Sequence, residues 1–199
     1  MKYFLKKYIQ LFWWIFCTVP VRLKVKRMSL KSVFLSPMII HNGKNVKIEK
    51  WVTIYPACRM ETHNGGSIVI EKGVNIGQNF HITSGEQELR IGKNTTILGS
   101  VFITNIDHDY TEIGKHILEQ KHIIKKTEIG ENCFIGYAAA IQAGTVLGKQ
   151  CVVGTHSVVR GVFPDYCVIV GVPAKIVKRY SFEKQAWLRT DANGNFIEW

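Results

Sequence analysis

Aliphatic residues recur at every sixth position through the C-terminal half of this chain. The run consists of Ile129, Ile135, Ile141, Leu147, Val153 and Val159. The residue four places after each of the first five is small: Cys133, Ala139, Thr145, Cys151 and Ser157. A strict six-residue period is the sequence mark of a parallel β-helix, in which the chain winds as a prism and each hexad contributes one face. The period therefore predicts an all-β fold built from hexapeptide repeats.

The same period continues upstream in groups of three. The groups are Ile48, Ile54 and Met60, then Ile70, Ile76 and Ile82, then Ile91, Ile97 and Ile103. If three hexads make one turn of a triangular prism, each group is one coil and the interruptions fall at one corner. With two uninterrupted coils from residue 129, the pattern predicts five coils, about 24 Å tall at the usual strand spacing of about 4.8 Å. We assign the β-helix domain to residues 40–180.

The longest interruption, residues 104–128, is a candidate functional loop because long excursions from compact domains usually carry function. It begins with His108 between Asp107 and Asp109. A histidine is the usual general base near neutral pH, because its pKa lies there. A neighbouring carboxylate can fix its tautomer and stabilise the imidazolium, and either aspartate is a candidate for that role. We therefore predict His108 as a catalytic base assisted by Asp107 or Asp109.

Three further motifs complete a resemblance to a known family. They are Ser157-Val158-Val159, Phe163-Pro164 and Gly171-Val172-Pro173-Ala174-Lys175. With the repeats and the loop, they resemble the hexapeptide-repeat acyltransferases, in particular the bacterial sugar and polysaccharide O-acetyltransferases. The resemblance implies a left-handed β-helix, a homotrimer, and acetyl-CoA as co-substrate in a groove between adjacent subunits, with no metal required. It also implies direct transfer to a sugar or glycan acceptor in a ternary complex.

The resemblance also implies site residues by position. For the cofactor these are Phe134, Gly136, Tyr137, Thr155, Arg160, Lys175 and Lys178. For the acceptor the matching residue is Thr83. His81, which lies outside the six-residue pattern, and Asn105 are further candidates for the acceptor pocket. Phe134 stands where relatives often have Trp, and Gly161 stands where they often have Lys, so Arg160 is expected to supply that charge.

The N-terminal segment, residues 1–36, is basic and aromatic. Its first 31 residues hold eight Lys or Arg and no acid, whereas the remaining chain is only +3 and offers no nucleic-acid-binding face. Its apolar centre, residues 11–19, is too short to span a membrane. A helical stripe is formed by Phe4, Tyr8, Phe12, Ile15, Phe16 and Val19. We expect an amphipathic helix that touches an anionic membrane through residues 1–31, caps the open end of the β-helix, or does both.

The remaining features indicate a cytoplasmic protein, at most peripheral at the inner face of the plasma membrane. Of five cysteines, Cys58, Cys133 and Cys151 occupy small core slots, and no Cys-x-x-Cys pair predicts a metal site or disulfide. The tail, residues 181–199, begins with a predicted short helix over 181–188, with Ser181 as its N-cap.

The leading functional interpretation is O-acetylation of a sugar hydroxyl in a surface polysaccharide or its lipid-linked precursor. Transfer to a small free acceptor such as a simple sugar, serine or an antibiotic is an alternative, as is N-acylation of an amino sugar. A metal-dependent carbonic anhydrase of this architecture would need three His ligands, which the sequence does not place convincingly. A non-catalytic scaffold at the membrane would have no need of the Asp107-His108-Asp109 loop.

Overall fold

The computed structural model describes residues 12–14 and 16–197, whose strands wind into a β-solenoid of six complete coils and part of a seventh. The first three coils are β1 (Arg27–Met28), β2 (Val33–Phe34), β3 (Ile39–His41), β4 (Val46–Ile48), β5 (Thr53–Ile54), β6 (Arg59–His63), β7 (Ser67–Ile70), β8 (Asn75–Ile76) and β9 (His81–Gly85). The fourth is β10 (Glu88–Ile91), β11 (Thr96–Ile97) and β12 (Phe102–Thr104), followed by a hairpin of β13 (Ile106–His108) and β14 (His122–Ile124).

The fifth and sixth coils are β15 (Glu128–Ile129), β16 (Phe134–Ile135), β17 (Ala140–Ile141), β18 (Val146–Leu147), β19 (Val152–Val153) and β20 (Val158–Val159). The chain ends with β21 (Val162–Phe163), β22 (Cys167–Gly171), β23 (Ala174–Ser181) and β24 (Ala186–Arg189). Short 3-10 helices lie at Gly43–Asn45 and Ile117–Glu119. The first, second and third strands of successive coils pair in parallel and form sheets A, B and C, the three faces of the prism.

The six-residue pattern lies in the core, which confirms the predicted solenoid of hexapeptide repeats. In sheet A the pairing runs from Ile48 through Ile70, Ile91 and Ile129 to Leu147, and all five side chains are buried. Each aliphatic side chain therefore packs on its counterpart in the coils above and below. Burial of this repeated column is the main favourable contribution to stacking.

The solenoid begins one coil earlier than the five-coil pattern indicates. Met28, Phe34 and Ile40 are also spaced by six, and they are the inward residues of the first coil. Phe34 is fully buried, and β1 and β2 pair in parallel with β4 and β5. This repeat overlaps the basic, aromatic N-terminal segment, so Met28 and Phe34 fall within the residues assigned to that segment even though the six-residue spacing is regular.

All of the interruptions lie at one corner, between sheet C and sheet A, which we call the C–A corner. Residues inserted there extend β6 and β9 to five residues each and then form the loop that holds β13 and β14. The other corners turn tightly through left-handed residues such as Asn94 (φ 57°) and Asn132 (φ 55°). Asparagine tolerates this conformation better than most residues with a β-carbon.

The C-terminal helix predicted over residues 181–188 is wrong. Ser181 ends β23, residues 182–185 form a turn, and β24 pairs antiparallel with β23, so that Tyr180 lies opposite Trp187. An isolated eight-residue helix is marginal, whereas the exposed edge of β23 offers a ready row of backbone hydrogen bonds. Aromatic cross-strand packing favours the strand further.

One helix, residues 12–14 and 16–22, packs over the N-terminal end of the solenoid. Thr18 and Val21 are buried, and the Thr18 hydroxyl accepts a hydrogen bond from the Phe34 backbone N–H at 3.1 Å. The helix thus covers an otherwise open edge of sheet B. Phe4, Tyr8 and Ile15 of the predicted stripe lie outside the described residues. No helix in the described part of the chain has the length and hydropathy to cross a membrane.

Replacement of Phe34 by alanine tests whether the first coil is integral to the solenoid. We expect Phe34→Ala to lower the free energy of unfolding by about 3–5 kcal/mol, because it leaves a cavity beneath the helix. Leu30→Ala, at a position 80% exposed, is the matched control and should change stability by less than about 0.5 kcal/mol. Urea denaturation measures both, and equal stabilities would show that the first coil is dispensable.

Candidate active site

The hairpin of β13 and β14 forms an arm that projects from the C–A corner. Ile106 pairs with Ile124 at its base, and His108 pairs with His122 further along. The two isoleucines pack on Gly85, where a β-carbon would lie 2.9 Å from Ile124 Cδ1 and 3.1 Å from Ile106 Cδ1. Gly85 therefore lets the arm lie close against sheet C.

Asn105 fastens the base of the arm to the third coil. Its side chain is fully buried; Oδ1 accepts from the Gly85 N–H at 2.7 Å, and Nδ2 donates to the Gly85 carbonyl at 3.0 Å. The side-chain amide thus takes the place of a neighbouring strand's backbone amide, at the point where the chain leaves sheet C. Asn105 is predicted as an acceptor contact, and in this structure its side-chain amide bonds to the Gly85 backbone at the base of the arm.

His108 is exposed on the arm, and its ring stacks edge-on against His122 with centroids 4.8 Å apart. Its neighbours in sequence point away, as alternate residues of a strand do. Asp107 pairs with Arg160 and, at 3.4 Å, with Lys125. Asp109 accepts from the Thr111 N–H and hydroxyl, and these hydrogen bonds lower the pKa of its carboxyl. Within the described chain, neither carboxylate contacts the His108 imidazole.

The Asp107–Arg160 ion pair joins the arm to the sixth coil. Arg160 follows β20 at the same corner, two coils beyond the strand from which the arm departs. Together with Lys125, it fixes the carboxylate side of β13 and leaves the His108 side open. The resemblance implies Arg160 as a cofactor contact, and in this chain its nearest partner is Asp107.

A polar network lies beside the arm on the outer face of sheet C. The Glu61 carboxylate, in a residue only 9% exposed, accepts from Arg59 Nε at 2.9 Å and Nη2 at 3.1 Å. His81 Nε2 lies 3.4 Å from Glu61 Oε2 and 3.1 Å from Thr83 Oγ1. The His81 ring also packs on Phe102, with centroids 5.0 Å apart. We call Arg59, Glu61, His81 and Thr83 the sheet C network.

Arg59 and Glu61 are not among the site residues predicted from the sequence, although the six-residue spacing contains the information needed to place them. Both flank the inward Met60, just as His81 and Thr83 flank the inward Ile82, so all four side chains point outwards in register. Arg59 pairs with His81 and Glu61 with Thr83 across the two strands. The hexad pattern therefore predicts both the core residues and their outward neighbours.

Burial and charge act in opposite directions on the network. Burial alone would raise the pKa of the Glu61 carboxyl, but hydrogen bonds and charge from Arg59, with a smaller contribution from His81, hold it below its usual value. Burial lowers the pKa of His81, partly offset by its hydrogen bond to Glu61. The network therefore presents a carboxylate, a neutral imidazole and a hydroxyl, groups that can donate to and accept from sugar hydroxyls.

Most of the residues implied for the cofactor lie on sheet B or along the edge of sheet C that meets sheet B, which is the edge away from the arm. Tyr137 and Thr155 occupy the corner between sheets B and C, and Tyr137 packs against His156 with ring centroids 5.9 Å apart. A β-carbon on Gly136 would meet Thr155 N at 2.6 Å, so the coils stack closely there. Phe134 is exposed on sheet B.

Lys175 and Lys178 are exposed on β23, at the C-terminal end of sheet B. Within one chain, sheet C therefore separates His108 from most of the cofactor positions.

Among the residues that the structure describes, no group of three or more His, Cys, Asp or Glu side chains is placed to share a metal ion.

Comparisons with known proteins agree with this architecture. Residues 126–161 match the family described as bacterial transferase hexapeptide (six repeats). The chain is 32% identical over 165 residues to the putative lipopolysaccharide biosynthesis O-acetyl transferase WbbJ of Escherichia coli, covering 76% of this chain and 80% of that protein. It is also 32% identical over 148 residues to a probable acetyltransferase of Mycobacterium tuberculosis, covering 73% of this chain but only 49% of that relative's length.

A solved structure shares the fold. The N-acyltransferase AntD from Bacillus cereus, in complex with dTDP and 3-hydroxybutyryl-CoA, superimposes with a TM-score of 0.69 at 17% identity. The match covers 82% of this chain and 87% of that one.

Substitution of Asn105 by alanine tests its role in holding the arm. We expect Asn105→Ala to cost about 1–3 kcal/mol, because the buried Gly85 N–H and carbonyl lose their partners. Amide hydrogen exchange should accelerate across residues 106–124 while the coils keep their protection. Asn193→Ala, at an exposed position, is the control. Unchanged exchange in the arm would contradict this role.

Proposed function

Because this chain belongs to the family of bacterial hexapeptide-repeat transferases, we propose that it is an acetyl-CoA-dependent O-acetyltransferase. Its proposed acceptor is a sugar hydroxyl of a surface polysaccharide or of a lipid-linked precursor. The observation that carries the proposal is His108, an exposed imidazole on a braced arm beside the sheet C network. The similarity to a putative lipopolysaccharide O-acetyl transferase supports this acceptor class.

In the proposed reaction, His108 acts as a general base. Its unprotonated ring nitrogen takes the proton of the acceptor hydroxyl as that oxygen attacks the thioester carbonyl of acetyl-CoA. The tetrahedral intermediate then breaks its C–S bond, and the imidazolium returns the proton to the departing thiolate. The transfer is direct, without an acyl-enzyme on Cys or Ser. His122 restricts the His108 ring by edge-on packing, and Asp107 acts indirectly, by anchoring the arm through Arg160 and Lys125.

The sheet C network is the proposed acceptor surface. Thr83 pairs with Thr104 on the neighbouring strand, at the strand spacing of about 4.8 Å. His108 follows Thr104 by four residues, which span at most about 14 Å of extended chain, so the α-carbons of Thr83 and His108 lie within about 19 Å of each other. An acceptor of more than one sugar unit can therefore contact Glu61, His81 and Thr83 while one of its hydroxyls reaches the base. The half-exposed His81–Phe102 pair adds an aromatic surface against which a sugar ring can pack.

The division of the site across sheet C supports a homotrimer. His108 lies at the C–A corner, whereas Tyr137 and Thr155 lie at the opposite corner. If neighbouring subunits bring these two corners together, acetyl-CoA lies in the groove between them, with Lys175 and Lys178 available to its phosphates. The left hand of the coil and a cytoplasmic location belong to the same proposal.

The first test is release of coenzyme A from acetyl-CoA in the presence of lipid-linked glycans, free sugars and amino sugars. We expect acceptor-dependent release by the native chain and a fall in kcat of about 10²–10⁴ in His108→Ala, because the general base is lost. His116→Ala, in the same loop, should retain activity.

Activity that survives in His108→Ala would overturn the assignment of the base and leave the transferase class intact. Absence of both turnover and acetyl-CoA binding would instead favour the non-catalytic scaffold. A preference for amino sugars would indicate N-acylation, and one for free sugars would indicate a small free acceptor.

A second test separates acceptor recognition from chemistry. Glu61→Gln removes the carboxylate charge but keeps the shape, and we expect the acceptor KM to rise about tenfold, the cost of one charge-assisted hydrogen bond. The KM for acetyl-CoA should stay constant. Glu88→Gln, which removes an exposed carboxylate paired with Arg90 on sheet A, is the control. A rise in both KM values would point to a structural role for Glu61.

A further inference from the structure

The N-terminal helix presents two opposite stripes of identical spacing. Trp14, Thr18 and Val21 face the solenoid, and Thr18 and Val21 are buried. The second stripe, offset by two residues and hence by about 200° around the helix, points outwards. Its members Phe12, Phe16, Val19 and Leu23, the last just past the helix end, are 72%, 62%, 49% and 87% exposed. The cap therefore uses one stripe and leaves a more aromatic one uncovered.

The uncovered stripe continues into a wider apolar surface. Trp13 is 62% exposed and stacks with Phe16 at 6.1 Å between centroids. Leu30, in the first turn of the solenoid, is 80% exposed, and its carbonyl accepts from Arg22 at the end of the helix. We call Phe12, Trp13, Phe16, Val19, Leu23 and Leu30 the end surface. Contiguous exposed apolar residues of this kind mark an interaction site.

The charged side chains from the helix up to residue 48 are all positive. Lys24, Lys26, Arg27 and Lys31 are exposed there, and within the described chain none of them forms an ion pair. The first acidic residue of the sequence is Glu49. Beside them a groove of about 450 Å³ is lined by Arg27, Lys47 and Lys50 together with one carboxylate, Glu49. Lys31 lies over the Trp51 ring, with Nζ 4.8 Å from the centroid. This end therefore combines aromatic rings with an excess of cations over carboxylates.

We propose that the end surface docks on an anionic lipid bilayer, with the helix lying in the plane of the interface. Aromatic rings enter the boundary between headgroups and acyl chains, while the lysines attract anionic headgroups. A second copy of the chain fits this surface less well. A two-fold contact would place identical, acid-free patches against each other and bring like charges together.

Docking would orient the proposed active site, and this step rests on the proposed function. The solenoid axis would stand away from the bilayer, with the arm at the fourth coil, three strand spacings or about 14 Å beyond the first coil. The helix adds about 10 Å. A glycan acceptor that is still attached to a membrane lipid through its phosphate would then extend from the bilayer along sheet C to His108. The membrane end thus favours a lipid-linked glycan over a free sugar.

The test is co-flotation of the full chain with phosphatidylcholine vesicles, with or without phosphatidylglycerol. We expect binding only to the anionic vesicles, weakened by salt because the attraction is screened. Replacement of Phe12, Trp13 and Phe16 by serine should reduce the bound fraction at least about tenfold, since three interfacial aromatics are lost. Replacement of Lys24, Lys26 and Lys31 by glutamine should remove the preference for phosphatidylglycerol.

The matched control replaces three exposed apolar residues at the other end, Val172, Phe182 and Ile197, by serine, and should bind like the native chain. Equal flotation of all variants, or none by the native chain, would overturn the proposal. So would a change of oligomeric state in the aromatic variant with unchanged vesicle binding, which would identify a subunit contact. Flotation needs no turnover, so its failure is distinct from failure of the transferase proposal, which is read from coenzyme A release.

Discussion

Vertical stacking of coils at the parallel-strand spacing of about 4.8 Å is the constraint on which this structure depends. Each inward side chain meets its counterpart directly above and below, so each coil must place the same class of residue in the same slot. A length change within a face would shift every later residue, whereas extra residues at a corner leave the register intact. The interruptions at the C–A corner follow from this rule, because sheets A, B and C keep parallel pairing on both sides of them.

The same constraint explains where polar chemistry can be built. A β-solenoid has a core too narrow for a cleft, so functional groups must sit on an outer face or beside a corner insertion. The extended strands β6 and β9 provide the face, where Glu61 and His81 meet in register. The arm provides the insertion, and Asn105 ties the two together by completing the hydrogen bonds of Gly85. Position in the repeat thus decides which residues can meet.

Sequence reasoning succeeds here wherever periodicity governs and fails where long-range pairing governs. The hexads predicted the solenoid, and the same spacing at Met28, Phe34 and Ile40 would have revealed the first coil. Local sequence predicts a helix over residues 181–188, but the strand found at residues 186–189 is stabilised by pairing with the edge of β23, which local propensity does not reflect. Asp107 is adjacent to His108 in sequence, yet β alternation turns it toward Arg160, a partner 53 residues away.

The two ends of a stacked sheet present unpaired backbone groups, and this chain protects them by different means. At the C-terminal end, β23 and β24 fold back and extend sheet B with antiparallel pairing, which satisfies backbone groups by more strand. At the N-terminal end, a helix lies across the opening and satisfies its own backbone internally. A helix needs only one buried stripe to act as a cap, so its opposite face is free to carry other residues. That face carries the exposed Phe12 and Phe16, although polar side chains would serve there if the face only met water. Exposure of aromatic rings to water costs free energy, which contact with a lipid bilayer would recover.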